Sequence, residues 1–329
     1  MLPCMTPKLS DAAREYDVWR DMQGFAKATR RNDQSALRHL IRSAGDIRVN
    51  DCDHNILTQA LHKMGETCSA SSVNMHHASL SAFFRWCRIQ KYIAPDEDPL
   101  MGILYKKVGK RDRRRIPAHQ FPGLLDAAKT PRERMIIALG LYLFLRSSEA
   151  VSLRLRDVDL QSGTIGVTIY KTGDYDVMPI SSELDKELRR WLLHYQEQAG
   201  ELHPDWFLVP AKKSVGFQEF ALNPTARISR PEDIVKETLR RFGWEDTYWQ
   251  GMHALRASGA RAWFDELDAN TVDGALRIVQ THLHHSSVTM TERYLGLTVD
   301  RAKRDRLLKG EAMFPSLQAS NVTPINRTA

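Results

Sequence analysis

A break in composition between residues 94 and 116 divides the chain and constrains its fold more than any other feature. The segment APDEDPLMGI carries Pro95 and Pro99, which stop helices because proline lacks a backbone N–H and clashes with the preceding turn. It is followed by GKRDRRRIP, in which basic residues crowd around one aspartate. A chain of 329 residues is long enough for two domains. We therefore predict a basic interdomain linker over residues 101–116.

The cations of this linker are candidate DNA ligands. They are Lys106, Lys107, Lys110, Arg111, Arg113, Arg114 and Arg115. A flexible cationic strap can lie along phosphates and gain salt-dependent affinity through counterion release. Lys and Arg also exceed Asp and Glu by 47 − 40 = 7 over the whole chain, which favours a polyanionic partner such as a nucleic acid. A solvated charge run without a partner is the alternative interpretation.

The residues before the break predict a small antiparallel helical bundle over residues 11–100, preceded by an N-terminal extension over residues 1–10. One apolar stripe runs through Tyr16, Trp19, Met22 or Gln23, and then Ala26 at helical spacing. His76 and His77 lie on the longest stripe, and no partner ligands lie at metal-binding spacing, so we interpret both as helix-face residues. The aromatic cluster around Phe83, Phe84 and Trp86 is interpreted as core.

The spacing of the cysteines and the lengths of the apolar runs indicate the cellular compartment of the protein. The cysteines are Cys4, Cys52, Cys68 and Cys87. They form no C-x-x-C pair, which disfavours a zinc module and fits unpaired thiols in a reducing cytosol. The chain carries no uncharged apolar run of membrane-spanning length and no signal-peptide pattern. We expect a cytoplasmic protein without a membrane partner.

The residues after the break predict a second domain over residues 117–315 that is mainly helical with a small β-sheet. The almost wholly apolar run PRERMIIALGLYLFLR predicts a buried helix with Arg146 at its end. GTIGVTIY and YDVMPI predict a hairpin with Lys171 at its tip. Residues 211–228 are predicted as a loop, and Ser229 and Glu232 stand at the spacing of a capping box for the next helix. The predicted fold class is therefore mainly α with a small β-sheet (α+β).

An arginine at the end of a buried helix needs an anionic partner, because an unpaired buried charge is costly. Glu149 can supply that partner for Arg146 and make the pair purely structural. Glu149 can instead orient Arg146 so that its planar fork meets a phosphate in two parallel bonds. Residues in MHALRASGARAWF form a helix, on which His253 and Arg256 share one face. By itself this pair is weak evidence.

The stretch LHHSSVTMTERY holds an imidazole and a phenol on one short helix. Ser286 or Ser287 can cap this helix and Gly296 can end it, which places His285 just before the helix and Tyr294 near its far end. A tyrosine can act as a covalent nucleophile when cations and proton donors from elsewhere stabilise the developing charge.

Taken in order, these residues resemble the tyrosine recombinases, or phage integrase family. The match covers Arg146, Glu149, Lys171, His253, Arg256, His285 and Tyr294. The resemblance implies that Glu149 supports the other six, which are catalytic, with Tyr294 forming a 3′-phosphotyrosine and no metal or cofactor needed. It implies a SAM-like, core-binding DNA domain for the helical bundle and a tyrosine-recombinase catalytic domain after the linker.

The chain departs from the family pattern at three places. His284 stands where the family usually has Gly, so His284 or His282 could be mistaken for the catalytic histidine, although the spacing to Tyr294 favours His285. Ala254 stands where an Asp is usual in the H-x-x-R motif, which removes a supporting hydrogen bond. Only about ten residues precede the first predicted helix, so we expect no arm-binding domain.

The resemblance implies a site-specific recombinase acting on double-stranded DNA at paired sites as a homotetramer, with accessory DNA-bending or directionality proteins as possible partners. We interpret the chain as a phage or prophage integrase. The alternatives are a recombinase that resolves chromosome dimers, a type IB topoisomerase, a non-enzymatic DNA-binding regulator, and a metal hydrolase using His282, His284 and His285. The segment VDRAKRDRLLKGEAMF is long enough for a helix that docks on a neighbouring protomer or on its own domain, and residues 316–329 are predicted to be a disordered tail.

Overall fold

The computed structural model describes residues 6–109, 114–170, 173–213, 221–244, 251–267 and 272–297. Its contacts divide the chain into two compact units, Met1–Arg111 and Asp112–Ala329. The division falls inside the linker predicted from the sequence. Lys171, the segment after residue 297 and the predicted tail lie outside the described residues. No described helix is long and apolar enough to cross a membrane.

The first unit is a helical bundle. Its helices are α1 (Leu9–Met22), α2 (Lys27–Ala44), α3 (His54–Thr67) and α4 (Ala70–Ile89). Asp53 and Ser69 cap α3 and α4 by accepting backbone N–H bonds from their first turns. Phe83 and Phe84 are buried on α4, which confirms their interpretation as core.

The predicted stripe on the first helix is only partly right. Tyr16 is buried against the aromatic rings of α4, but Met22 is 78% exposed at the end of α1. Gly24 follows with φ +76°, a left-handed conformation that a residue without Cβ adopts at low cost. Helix α1 therefore ends at Met22, so the apolar stripe does not extend past it, and α2 begins at Lys27.

The second unit contains a three-stranded antiparallel sheet and eight helices among its described residues. Its first helices are α5 (Phe121–Asp126), α6 (Pro131–Tyr142) and α7 (Ser147–Ala150). Strands β1 (Val158–Asp159), β2 (Thr164–Ile169) and β3 (Asp174–Pro179) form the sheet in the order β1-β2-β3. The remaining elements are α8 (Ser182–Ala199), β4 (Pro210–Lys213), β5 (Ala221–Arg227), α9 (Pro231–Arg241), α10 (Met252–Glu266), α11 (Val272–His282) and α12 (Val288–Leu295). The mixture confirms the predicted α+β class.

Three local predictions for this unit were wrong. The apolar helix α6 ends at Tyr142, and Phe144 then takes φ +53°, so Arg146 lies in a separate turn before α7. The segment predicted as a loop contains the β4–β5 hairpin, whose strands lack clean alternation of polar and apolar residues. Ser229 and Glu232 form no capping box, because Pro231 fixes the first turn of α9 and the cap position falls on Arg230.

Helix α6 forms the centre of the second unit's core and packs against α5, α8, α9 and α10. Two glycines let α10 approach closely. A Cβ on Gly140 would lie 2.7 Å from Met252 Sδ, and one on Gly259 would lie 1.9 Å from the carbonyl oxygen of Leu141. The backbone of α10 is therefore fixed against α6, and the side chains that α10 carries toward the candidate site are positioned by this contact.

Candidate active site

Glu149 links the two candidate arginines through one buried carboxylate. Its side chain is 1% exposed, and its Oε1 accepts a 2.7 Å hydrogen bond from Arg146 Nη1. Its Oε2 accepts a 2.7 Å bond from the Arg146 backbone N–H and lies 3.7 Å from Arg256 Nη1. The Arg146 side chain remains 23% exposed. Glu149 therefore orients Arg146, which solvent can still reach. Its carboxylate also pairs with the buried Arg256.

Arg256 is buried on α10 and joins three parts of the unit. It is 2% exposed, and its Nη2 donates a 2.6 Å bond to the carbonyl oxygen of Leu283, while its Nη1 donates to the carbonyl oxygen of Phe144. Its guanidinium carbon lies 6.0 Å from the centre of the Tyr294 ring. Burial lowers the pKa of Arg256, and the neighbouring Tyr294 and Glu149 act in the opposite direction.

Helix α12 forms as the sequence predicts. The Ser287 hydroxyl caps it by accepting the Met290 N–H at 3.2 Å, and Gly296 ends it with φ +75°. Tyr294 is 8% exposed, and its hydroxyl donates to the carbonyl oxygen of His253 at 3.4 Å. The Tyr294 hydroxyl therefore contacts the backbone of α10.

Two imidazoles flank the Tyr294 ring. The ring centre of His285 lies 5.2 Å from that of Tyr294, and the ring centre of His253 lies 6.2 Å away. Thr291, which is fully buried on α12, holds His285 through a 3.1 Å contact between Oγ1 and Nδ1. Sequence reasoning did not identify Thr291, although it lies one helical turn before Tyr294 on the same helix.

His284 has a different role from His285. It adopts φ +51°, the left-handed region in which glycine is most easily accommodated. Its Nε2 lies 2.8 Å from Asp176 Oδ2 on β3, which ties the loop before α12 to the hairpin that leads to Lys171. The His284 side chain therefore contacts the sheet.

His282 is a packing residue rather than a third member of the site. Its ring lies 5.0 Å from the ring of Phe144 and 5.1 Å from that of Trp263, and its Nε2 is buried without a hydrogen-bond partner among the described residues. Burial, with His284 and Arg256 nearby, lowers the pKa of His282 to about 4.

Glu232 is a positioning residue that the sequence reasoning misread. Its Oε2 accepts a 2.9 Å bond from the backbone N–H of Met252, and its Oε1 accepts from the Ser147 hydroxyl. Gly251 just before α10 takes φ +89°. One carboxylate on α9 therefore fixes both the turn that carries Arg146 and the start of the helix that carries His253.

The structure describes four of the seven linker cations. Lys107 and Arg114 are exposed, and the Arg114 guanidinium lies 5.2 Å from the centre of the Trp244 ring. The backbone of Lys106 pairs in both directions with the Asn74 side-chain amide, at 2.8 and 2.9 Å. Arg115 donates from Nη2 to the carbonyl oxygen of Tyr294 at 2.7 Å. Lys110, Arg111 and Arg113 lie outside the described residues.

The described part of the site brings a phenol, two imidazoles and two guanidinium groups together. Such a set can generate a phenolate and stabilise a pentacovalent phosphate, because cations fixed in advance interact most favourably with charge that develops in the transition state. Five of the six residues predicted as catalytic are therefore gathered in one place, and the sixth, Lys171, follows directly after the described residue Tyr170.

Comparisons with known proteins identify the family. The profile described as "Phage integrase family" matches residues 114–301. Tyrosine recombinase XerA of Thermococcus kodakarensis is 25% identical over 297 residues, covering 90% of this chain and 94% of the relative. Tyrosine recombinase XerC of Chromobacterium violaceum is 26% identical over 249 residues, covering 73% and 75%. A lambda integrase dimer bound to a COC′ core site matches with a TM-score of 0.66 at 18% identity, covering 88% of this chain and 77% of that chain.

The fold and the family match define a tyrosine recombinase, a class of enzyme that cleaves and rejoins DNA. The chain belongs to the phage integrase family, whose profile spans more than half of its residues.

Proposed function

We propose that this chain is a site-specific recombinase that cuts and rejoins double-stranded DNA at paired sites, with Tyr294 as the nucleophile. The observation that carries the proposal is the enclosure of Tyr294 by His285, His253 and Arg256 within one unit. A structural tyrosine would need none of these groups.

In the proposed cleavage step, the Tyr294 oxygen forms a bond to phosphorus and the bond from phosphorus to the 5′-oxygen breaks. The phenolic proton leaves to His285 or His253, which lie on either side of the ring. The leaving 5′-oxygen takes a proton from Lys171, which lies outside the described residues and which the sequence pattern predicts at the tip of a hairpin. The ester energy is retained in a 3′-phosphotyrosine, so a free 5′-hydroxyl from a partner duplex can reverse the step without metal or nucleotide.

Arg146 and Arg256 have different tasks in this proposal. Arg146 is partly exposed and oriented by Glu149, so its free N–H groups can bind the non-bridging oxygens of the phosphate. Arg256 is held by the carbonyl oxygens of Phe144 and Leu283 and adds positive charge next to Tyr294, since its guanidinium carbon lies 6.0 Å from the ring centre. Removing one such donor costs about 10²–10³ in rate in other enzymes.

We propose that the first unit is the core-binding domain and that the linker cations contact phosphates, with the catalytic unit over residues 117–315. The lambda integrase match is a dimer on DNA, and a homotetramer acting on two sites is the assembly that the family resemblance implies. The basic linker favours DNA through charge, and DNA-bending or directionality proteins fit as further partners.

Two biological roles remain for such an enzyme. We propose phage or prophage integration, in line with the family profile, and the matched relatives named XerA and XerC favour resolution of chromosome dimers as a second candidate. Sequencing the DNA that is covalently captured in host cells distinguishes the two. Two unlike sites at the ends of a prophage indicate integration, whereas a single chromosomal site paired with its own copy indicates dimer resolution.

A suicide substrate tests the chemistry. Duplex DNA nicked near the cleavage point should trap a covalent protein–DNA adduct with the wild-type chain in the presence of a chelator, because the leaving fragment escapes and religation fails. Tyr294→Phe keeps the ring and should retain DNA binding while losing the adduct. Tyr170→Phe, which changes an exposed tyrosine of the same unit, serves as the matched control and should form the adduct normally.

Three outcomes would contradict the proposal. An adduct in Tyr294→Phe would refute the nucleophile. Relaxation of supercoils without exchange between two cognate sites would favour a topoisomerase. Binding without any adduct in the wild-type chain would favour a DNA-binding regulator.

A further inference from the structure

Three potential metal ligands meet in the first unit of the chain. They are His39 on α2, Cys68 in the turn between α3 and α4, and His76 on α4, and one ligand atom from each lies within 4.8 Å of the other two. The ring centres of His39 and His76 are 5.1 Å apart. The sequence spacing of these residues matches no metal-binding motif, and only the packing of the bundle brings them together.

The buried member of this cluster needs a partner. His76 is 4% exposed, and its Nδ1 has no hydrogen-bond partner among the described residues. A buried polar atom left unsatisfied is costly, whereas a neutral imidazole nitrogen is the commonest metal ligand in proteins. His39 and Cys68 are half-buried, so a cation can reach the cluster from solvent.

Cys68 is held firmly enough to act as a ligand. Its backbone N–H bonds to the carbonyl oxygen of Met64 at 2.8 Å, and the next residue, Ser69, caps α4. Its thiol has only a weak contact, at 3.8 Å, with the Thr67 hydroxyl. By contrast, Cys52 and Cys87 are buried in the core, and burial raises the pKa of Cys52 to about 12, which makes it a poor thiolate.

We infer that His39, Cys68 and His76 form a site for a borderline-soft divalent cation, with Zn²⁺ as the ion that fits best. Two imidazoles and one thiolate are a donor set that suits Zn²⁺ and disfavours Mg²⁺ and Ca²⁺, which take oxygen ligands. Tetrahedral Zn²⁺ places nitrogen and sulfur ligands about 3.3–3.8 Å apart. The ligand atoms lie within 4.8 Å of one another, so the cluster would have to close by about 1 Å through side-chain rotation to take this geometry.

Binding would couple two helices of the first unit and the turn between α3 and α4. Cys68 releases its thiol proton to solvent on coordination, and a water molecule or an outside ligand takes the fourth position. The ion would then fasten α2 to the turn between α3 and α4 and to α4 itself. These three residues belong to the first unit and Tyr294 belongs to the second, so the ion would regulate or stabilise the first unit rather than take part in strand cleavage.

Cobalt and zinc titrations of the full chain test this inference. Chelator-treated protein titrated with Co²⁺ should develop the thiolate-to-metal charge-transfer band and the strong visible bands of a tetrahedral site, saturating at one ion per chain. Added Zn²⁺ should abolish both and should raise the midpoint of thermal unfolding. Cys68→Ser should lose the charge-transfer band, and His39→Asn should weaken binding at least tenfold.

Two control variants test whether the loss of metal binding is specific to the proposed ligands. Cys4→Ser removes the cysteine that lies outside the described residues, and His62→Asn removes an exposed histidine of the same unit. Both should bind as the wild type does. A charge-transfer band that persists in Cys68→Ser, or its loss in Cys4→Ser, would overturn the assignment.

A measurement on the wild-type chain covers the case in which a variant fails to fold. Zn²⁺ should protect Cys68 from iodoacetamide, as read by mass spectrometry of the peptide that contains it. Equal alkylation of Cys68 with and without Zn²⁺ would also overturn the inference.

Discussion

Arg115 Nη2 lies 2.7 Å from the backbone carbonyl oxygen of Tyr294, 179 residues later in the chain. Carbonyl groups in the last turn of a helix have no helical partner, and a cation there also interacts favourably with the helix dipole. The next residue, Ile116, donates its N–H to the buried Ser258 hydroxyl on α10 at 2.9 Å. The end of the basic linker is therefore part of the support for the candidate nucleophile.

This relationship predicts that the linker cations are not equivalent. Arg115→Ala should lower the free energy of unfolding of the second unit by about 1–2 kcal/mol and slow adduct formation more than it weakens DNA binding. Lys107→Ala should instead weaken binding to all DNA sequences. The slope of log affinity against log salt concentration should fall by about 1, the contribution of one phosphate contact. The measurements are denaturant unfolding and binding at several salt concentrations. If Arg115→Ala changes only the salt slope, the supporting role is wrong.

A second prediction concerns Glu149. Replacing it by Gln removes the buried charge that pairs with Arg146 and Arg256, and leaving buried charge uncompensated typically costs about 3–5 kcal/mol. We expect a large loss of stability and little or no adduct on the suicide substrate. Glu133→Gln is the matched control, since Glu133 pairs with Arg241 in the same unit away from the site. Equal effects of the two substitutions would show that Glu149 is only a structural partner.

A third prediction separates His284 from His285. His284→Gly loses the 2.8 Å hydrogen bond with the partly exposed Asp176, worth about 0.5–1.5 kcal/mol, but relieves a left-handed backbone that costs a residue with Cβ about 1 kcal/mol. Its stability and cleavage should stay near those of the wild type. His284→Ala loses the same hydrogen bond and keeps the left-handed backbone strain, so it should be less stable than His284→Gly.

His285→Ala should slow cleavage with little loss of DNA binding, because this imidazole lies against the Tyr294 ring. Cleavage rates of the His284 and His285 variants on the suicide substrate show which of the two histidines the reaction needs. The reverse ranking, with His284 essential and His285 dispensable, would refute the assignment.

A fourth prediction uses the pKa of His282, which is lowered from 6.5 to about 4. Below pH 6.5 the unfolded chain takes up a proton at this residue while the folded chain does not until about pH 4, so stability falls as the pH falls through that window. The loss amounts to about 2 kcal/mol at pH 5 from the linkage relation. His282→Phe should remove this part of the pH dependence. Urea unfolding of both chains at pH 7 and pH 5 provides the measurement, and parallel losses would disprove the role of His282.

The elements with strong local signals could be predicted from the sequence. Helix α12 is fixed by Ser287 at its start and Gly296 at its end, since capping depends on residues within one turn of each terminus. The hairpin around Lys171 and the buried helix α6 follow from alternation and from a continuous apolar run. The hairpin of β4 and β5 lacked such a pattern and was predicted as a loop.

The sequence by itself determined which chemical groups this protein carries, their order, and the short segments that present them, because caps, turns and periodic apolar faces are local properties. Only the tertiary structure decided which groups meet. Glu232 joins Ser147 to Met252, Arg115 reaches Tyr294, and His39 and Cys68 approach His76. Contacts between residues so far apart in the chain depend on how the helices pack, and packing is settled by the shape and burial of whole faces rather than by the spacing of any one motif.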